Sequence, residues 1–222
     1  MMAKTDRLAA LRNELFGDIE RFASDREAAQ SGLVREHLAQ AKGDESVAGP
    51  LCLAMCRGLG LGVEEARQVA VIVGLVECAA LALQRLRSAE EPVQRRHGLP
   101  LALNSADALY SLGQVALADY ESSEGGRRGG ISLRLDRLSL RLWEATADTR
   151  DALPARDAAR IAGEIAAAAS GREEPAIIAL GEFAAAAALG LSTGAVATDA
   201  LSALDRVRLS ERERSILAAL VH

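Results

Sequence analysis

At 222 residues the chain is long enough for one helical domain, and half of its residues are hydrophobic, so a sizeable core is within reach. Aromatic residues make up only 3%, which leaves an aliphatic core built mostly from alanine and leucine, the best helix formers. A formal charge of −5 excludes a general nucleic-acid binder, because neutralising phosphates requires a basic face.

The first residues, Met1 to Arg7, place no apolar stretch behind their basic side chains, so no signal peptide is expected. Apolar spacing then predicts helices almost everywhere. The first spans Asp6 to Phe22, with Leu8, Leu11, Leu15 and Ile19 on one face, and a second spans Arg26 to Ala41. Pro50 suits the first turn of a third, which runs through Leu51, Cys52 and Cys56. Gly58, Gly60 and Gly62 break the chain before Val63 opens a long central helix. Its nearly apolar stretch, Val69 to Leu83, is interrupted by Glu77 and falls short of the ~20 residues that span a bilayer, so it reads as a core helix.

Another apolar helix is predicted from Leu101 to Tyr120. The glycine-rich segment 122–130 reads as a flexible surface loop between two halves of one bundle. It lacks the Gly-Lys-Ser/Thr ending of a phosphate cradle. Further helices are predicted at Leu133–Ala147, Ala155–Ala169, Pro175–Leu189, Thr193–Leu204 and Glu211–Val221. Runs of alanine at 166–169 and 184–188 let helix backbones approach closely, while Asp136 and Asp151, set among arginines, mark solvated faces. Residues 1–222 form a single all-α domain on this reading.

Three cysteines give no disulfide framework and suit a reducing compartment, here taken as the cytoplasm. Cys52 and Cys56 lie one helical turn apart, but Cys78, His97 and His222 are too scattered to complete a zinc site. The pair reads as two small buried hydrophobes. No Gly-x-Ser-x-Gly elbow is present. His97 sits among arginines as an exposed helix-end residue, and Trp143 is a core or interface anchor.

Several segments, in order, resemble the trans-isoprenyl diphosphate synthase (polyprenyl synthetase) family. Gly49-Pro50-Leu51 followed by the helix to Cys56 is similar to that family's Arg-Pro-x-Leu helix. The turn from Gly58 to Gly62 with Glu64, Glu65 and Ala66 resembles the one that follows, and Glu77 takes the place of the glutamate in Glu-x-x-His. The segment from Gly98 through Asp107 to Leu109 resembles Gly-x-x-x-Ala-x-x-x-Gly-Asp-x-Leu. The resemblance implies an all-α bundle of antiparallel helices around a hydrophobic cavity, here shortened at the C-terminus and usually paired as a homodimer. It also implies two aspartate motifs that hold magnesium against a substrate diphosphate, whose leaving charge hard cations must neutralise.

The family's ionic chemistry is missing from those places. Its first aspartate motif falls on Arg87-Ser88-Ala89-Glu90-Glu91, where Glu90 and Glu91 remain as the lesser metal or ligand candidates. Adjacent helical residues diverge by about 100°, so these two do not recreate a paired face. The basic segment that grips isopentenyl diphosphate falls on residues 44–50, which contain no lysine or arginine, and the Lys-Thr pair falls near Glu174-Pro175. The chain is expected to stop around or before the second motif, and it contains no Asp-Asp pair. Arg95 and Arg96 resemble the family's Arg-Arg-Gly and are the possible diphosphate contacts, or else a solvated basic helix end.

Cys52 and Cys56 resemble the Cys-x-x-x-Cys with which non-catalytic small subunits of plant prenyl synthases dock on a catalytic partner. The resemblance thus implies a catalytically inactive partner or regulatory subunit, a homodimer or a heteromer with an active synthase, needing no cofactor. One alternative is a diverged prenyltransferase using Glu90, Glu91, Arg95 and Arg96 with Mg2+. Another is a carrier of an isoprenoid or other lipid. The apolar helices holding Cys52 and running from Leu101 to Tyr120 are expected to supply the interface.

Overall fold

A chain rich in alanine and leucine saves its backbone hydrogen bonds for helices, and the computed structural model is helical throughout, with no strand among the described residues. The structure describes residues 4–26, 32–43, 46–87, 92–123, 131–147, 155–193 and 198–221. In chain order the helices are α1 (Lys4–Ser24), α2 (Gly32–Ala41), α3 (Ala48–Gly58), α4 (Val63–Arg85), α5 (Pro92–His97) and α6 (Leu99–Ser123). They continue as α7 (Ile131–Ala147), α8 (Ala155–Ala169), α9 (Glu174–Thr193), α10 (Thr198–Leu204) and α11 (Glu211–Ala218).

Two helices form the centre because they are apolar all round. Every residue of α3 from Ala48 to Cys56 is buried, as is every residue of α4 from Val69 to Ala82. By length and composition α4 could cross a membrane, being longer than the apolar stretch suggests, yet 83% of its most apolar window is buried inside the chain. It is the core helix, with α3, α6, α7 and α8 packed around it. Leu15 and Ile19 of α1 complete this core at 0% exposure. They reach α3 and α4 where Gly49 and Gly74 let the backbones close in, since a Cβ on Gly49 would stand 3.0 Å from the Gly74 Cα.

The boundaries depart from the sequence expectation where side chains intervene. The second helix begins at Gly32; Arg26 instead belongs to the bend after α1, its guanidinium 3.5 Å above the Phe22 ring and paired with Asp119 of α6. The expected helix from Thr193 divides between the end of α9 and α10. Helix α11 stops at Ala218 and starts with a capping box, in which Ser210 and Glu213 bond each other's backbone N–H. The chain bends back so that Leu217 of α11 covers Gly58 at the end of α3. The glycine-rich segment lies outside the described residues from 124 onward, as does Asp151.

Ion pairs fasten the outer helices to the core. Glu14 of α1 accepts from both terminal nitrogens of Arg57 on α3, and Arg67 of α4 stands 3.4 Å away. The Arg57 hydrogen bond, with help from Arg67, holds the Glu14 carboxyl below its ordinary range despite partial burial. A depressed carboxyl contributes stability above its unfolded pKa and loses it as pH falls towards the folded value. Glu14→Gln is therefore expected to flatten the acid limb of a pH–stability curve. An unchanged limb would show that the network contributes nothing.

Candidate functional site

The arginines singled out by the sequence sit on a helix of their own. Helix α5 is a single short turn-and-a-half anchored by Val93, which is fully buried. It ends at Gly98, whose φ of +85° is a left-handed stop that glycine adopts without strain. One residue later α6 begins, with Pro100 in its first turn. The direct run from Gly98 into the next helix is thus as the sequence predicts, while the separate helix before it is not foreseen.

Arg95 and Arg96 both reach the surface beside Pro92, around a cleft of about 310 Å³. They are not equivalent. Arg96 donates to Glu36 of α2 at 2.8 Å, and His97 approaches the same carboxylate oxygen at 3.6 Å. Arg95 makes no ion pair among the described residues. Helix α2 is itself pinned to α6 by a buried contact. Ser105 Oγ donates to the Ala102 carbonyl and accepts from His37 Nε2 at 2.9 Å. Glu90 and Glu91, the carboxylates expected nearby, lie outside the described residues.

A second place of interest is the start of α3, where the sequence loses its cations. Asp44 and Glu45 lie outside the described residues, but the following backbone is well defined. The Glu77 carboxylate, 4% exposed, comes from the middle of α4 and takes every donor at this helix end. It accepts from Ser46 Oγ at 2.8 Å, and from the N–H groups of Val47 at 2.9 Å, Ala48 at 2.8 Å and Gly49 at 3.0 Å. A helix N-terminus attracts anions, and here an internal anion fills it. Arg12 of α1 completes the cluster by donating to the Ser46 carbonyl at 3.1 Å. The signal for this role was visible as a lone glutamate within an apolar run, since a buried carboxylate requires donors.

At the third place, Glu174 opens α9 and is bound at 2.6 Å by Arg134 of α7, a side chain only 7% exposed. An acidic residue therefore stands near the expected cationic position, already neutralised. Magnesium needs several hard oxygen donors brought together. Among the described residues no three His, Cys, Asp or Glu side chains converge.

Cys52 and Cys56 face one another with sulfurs 4.0 Å apart, both at 0% exposure. The contact with Cys52, followed by burial, pushes the Cys56 thiol well above its ordinary value, and burial does the same to Cys78. These are unreactive core thiols. The docking role expected for Cys52 and Cys56 does not suit this placement, because both side chains are fully buried within the chain. Helix α6, by contrast, leaves Leu99, Leu101, Leu103 and Val115 exposed.

A cleft of about 300 Å³ between α1, α4 and α6 was not anticipated. Several of its charged residues are paired, with Arg21 on Asp18, Arg26 on Asp119 and Arg67 near Asp18.

No protein-family model matches the sequence, and no curated protein matches it. Solved structures do match. A geranylgeranyl pyrophosphate synthetase from the archaeon Geoglobus acetivorans superposes with a TM-score of 0.67 at 19% identity, over 84% of this chain and 67% of that one. A deletion mutant of heterotetrameric geranyl pyrophosphate synthase from mint gives 0.63 at 17% identity, over 95% and 98% of the two chains. The geranyl diphosphate synthase small subunit from Antirrhinum majus gives 0.54 at 15% identity, over 99% and 92%. At these identities the likeness establishes the fold.

Proposed function

We propose that this chain, which has the isoprenyl diphosphate synthase fold, is a non-catalytic partner subunit that pairs with itself or with an active synthase of that fold. In such an assembly it would adjust the partner's stability or product length. The observation that carries this reading is the loss of available charge at the places where a diphosphate would be held, Arg95 alone excepted. Residues 44–50 contain no cation, Glu77 occupies the backbone donors there, Glu174 stands near the later cationic position, and Arg96 is engaged by Glu36. A concentrated negative leaving group gains no neutralisation from these groups. That two of the matching structures are a heterotetrameric synthase and a small subunit supports the partner role. The apolar exposed face of α6 supports it too.

Pure protein incubated with isopentenyl and allylic diphosphates and magnesium is expected to give no chain extension. Robust turnover would sink the reading. Co-purification with a catalytic synthase would distinguish a subunit from a lipid carrier.

One observation favours a second reading, a diverged enzyme that binds a prenyl diphosphate: Arg95 is exposed beside its cleft and unpaired among the described residues. On that reading Arg95→Ala weakens pyrophosphate binding about tenfold, as loss of a charge-assisted hydrogen bond should. Equal binding by wild type and variant removes it.

A further inference from the structure

The cleft between α1, α4 and α6 lies far from the arginines of α5. Helix α6 runs from Leu99, just after Arg95 and Arg96, to the turns of Ala116, Asp119 and Tyr120 that line this cleft. Roughly 25 Å of helix therefore separates the two places. At about 300 Å³ the cleft is at the small end of metabolite sites.

Its lining sets three guanidiniums, on Arg21, Arg26 and Arg67, against three carboxylates, on Asp18, Glu64 and Asp119. A ligand of either net charge gains no net attraction from such a lining. A dipolar one does, because each of its poles meets the opposite charge. The floor makes the demand specific. Asp18 is only 7% exposed, yet its Oδ2 makes no hydrogen bond, and it stands 3.5 Å from Arg67 Nε, which makes none either. Coulomb attraction holds the two together but leaves their hydrogen bonds unmade. Buried polar groups are ordinarily bonded, so an acceptor and a donor side by side call for a partner of both kinds.

We propose that this cleft binds a small apolar α-amino acid as its zwitterion, the ammonium on Asp18 and the carboxylate on Arg67. An amino acid carries its two charges on adjacent atoms of one carbon, which suits an acceptor and a donor 3.5 Å apart. The ammonium brings three donors to Asp18. The carboxylate brings acceptors to Arg67, whose only hydrogen bond among the described residues is a long one, 3.4 Å to Glu14. Phe22, Val71 and Ala116 give the aliphatic side chain a wall.

The two other arginines have different parts. Arg26 is fixed, its guanidinium held on the Phe22 ring, on the Phe22 carbonyl and on Asp119. Arg21 is the movable one. Its side chain is 70% exposed and holds Asp18 Oδ1 by a surface ion pair, a kind that opens at little cost. When it swings outward, the ligand's ammonium replaces it on Asp18. A simple amine cannot accept from Arg67, and a simple acid cannot donate to Asp18. A hydroxyl does both, but without the charge that makes such bonds about twice as strong.

Isothermal titration calorimetry of the full chain with L-leucine tests this, beside isoamylamine and isocaproate, each of which keeps one pole. L-leucine should bind at least about tenfold more tightly than either analogue. Asp18→Asn keeps the side chain's size and removes its charge. It should weaken L-leucine binding about tenfold or more while the helical circular dichroism is retained. Should that variant fail to fold, Arg67→Gln, at a position 32% exposed, makes the same test at the other pole. No binding of L-leucine, equal binding of either analogue, or unchanged affinity in a folded variant would each overturn the proposal. Prenyl transfer, present or absent, leaves it untouched, because the two clefts share no residue.

Discussion

Glu77→Ala is expected to destabilise the fold by about 3–5 kcal/mol, because it deletes the acceptor for a whole helix end. The carboxylate serves Ser46 Oγ and three consecutive backbone N–H groups at the start of α3. Three of those donors are buried and Val47 is half-buried, so water does not readily replace the lost oxygens, and each stranded buried group adds a desolvation cost of ~1–3 kcal/mol. Glu77→Gln should fall between, since one acceptor oxygen survives while the amide N–H₂ confronts other donors. The measurement is the urea midpoint of each variant at constant slope. A loss below ~1 kcal/mol for the alanine variant would mean that solvent reaches this helix end after all.

The second large effect concerns a single methyl group. Gly163 of α8 faces α9 so closely that a Cβ would stand 2.6 Å from the Ala184 Cβ and 2.8 Å from the Leu180 carbonyl oxygen. In an open helix Gly→Ala stabilises by about 1 kcal/mol. Here the two backbones must separate, and overpacking of this kind costs about 1–3 kcal/mol, which outweighs the propensity gain. Gly163→Ala should therefore lower stability by roughly 1–2 kcal/mol net.

Gly17 of α1 supplies the control, because a methyl group added there would meet nothing within 4 Å. Gly17→Ala should stabilise by ~0.5–1 kcal/mol. Thermal or urea unfolding of the two variants should move in opposite directions. The same sign for both would show that α8 and α9 part without cost. Gly181 marks the other half of this contact: its missing side chain admits the Glu164 stem, whose burial raises that carboxyl's pKa.

Much of the helix plan was legible because apolar period and glycine breaks are local signals. The central helix, the Gly58–Gly62 break and α8 all stand where the residues predict them. Helix ends set by distant partners were not. Arg26 leaves the second helix because Phe22 and Asp119 hold it in the bend, a contact spanning two-fifths of the chain. The candidate site was readable in composition, since the absence of cations at 44–50 and of any Asp-Asp pair is plain from the residues. Its wiring was not, because the difference between Arg95 and Arg96 depends on Glu36 of another helix.

Residue order alone dictates an all-α chain with an aliphatic core and no Asp-Asp pair. Residue type and period suffice for those conclusions, since both act over a turn or two of helix. Tertiary packing settles which apolar helix is hidden and which is presented. Helices α3 and α6 look equally apolar in sequence, yet α3 is enclosed, cysteines included, while α6 keeps one face in solvent. The reason is geometric: burial depends on how many neighbours surround a helix, and α3 lies among α1, α4, α8 and α11, whereas α6 packs chiefly on α4 with α2 and α5 beside it.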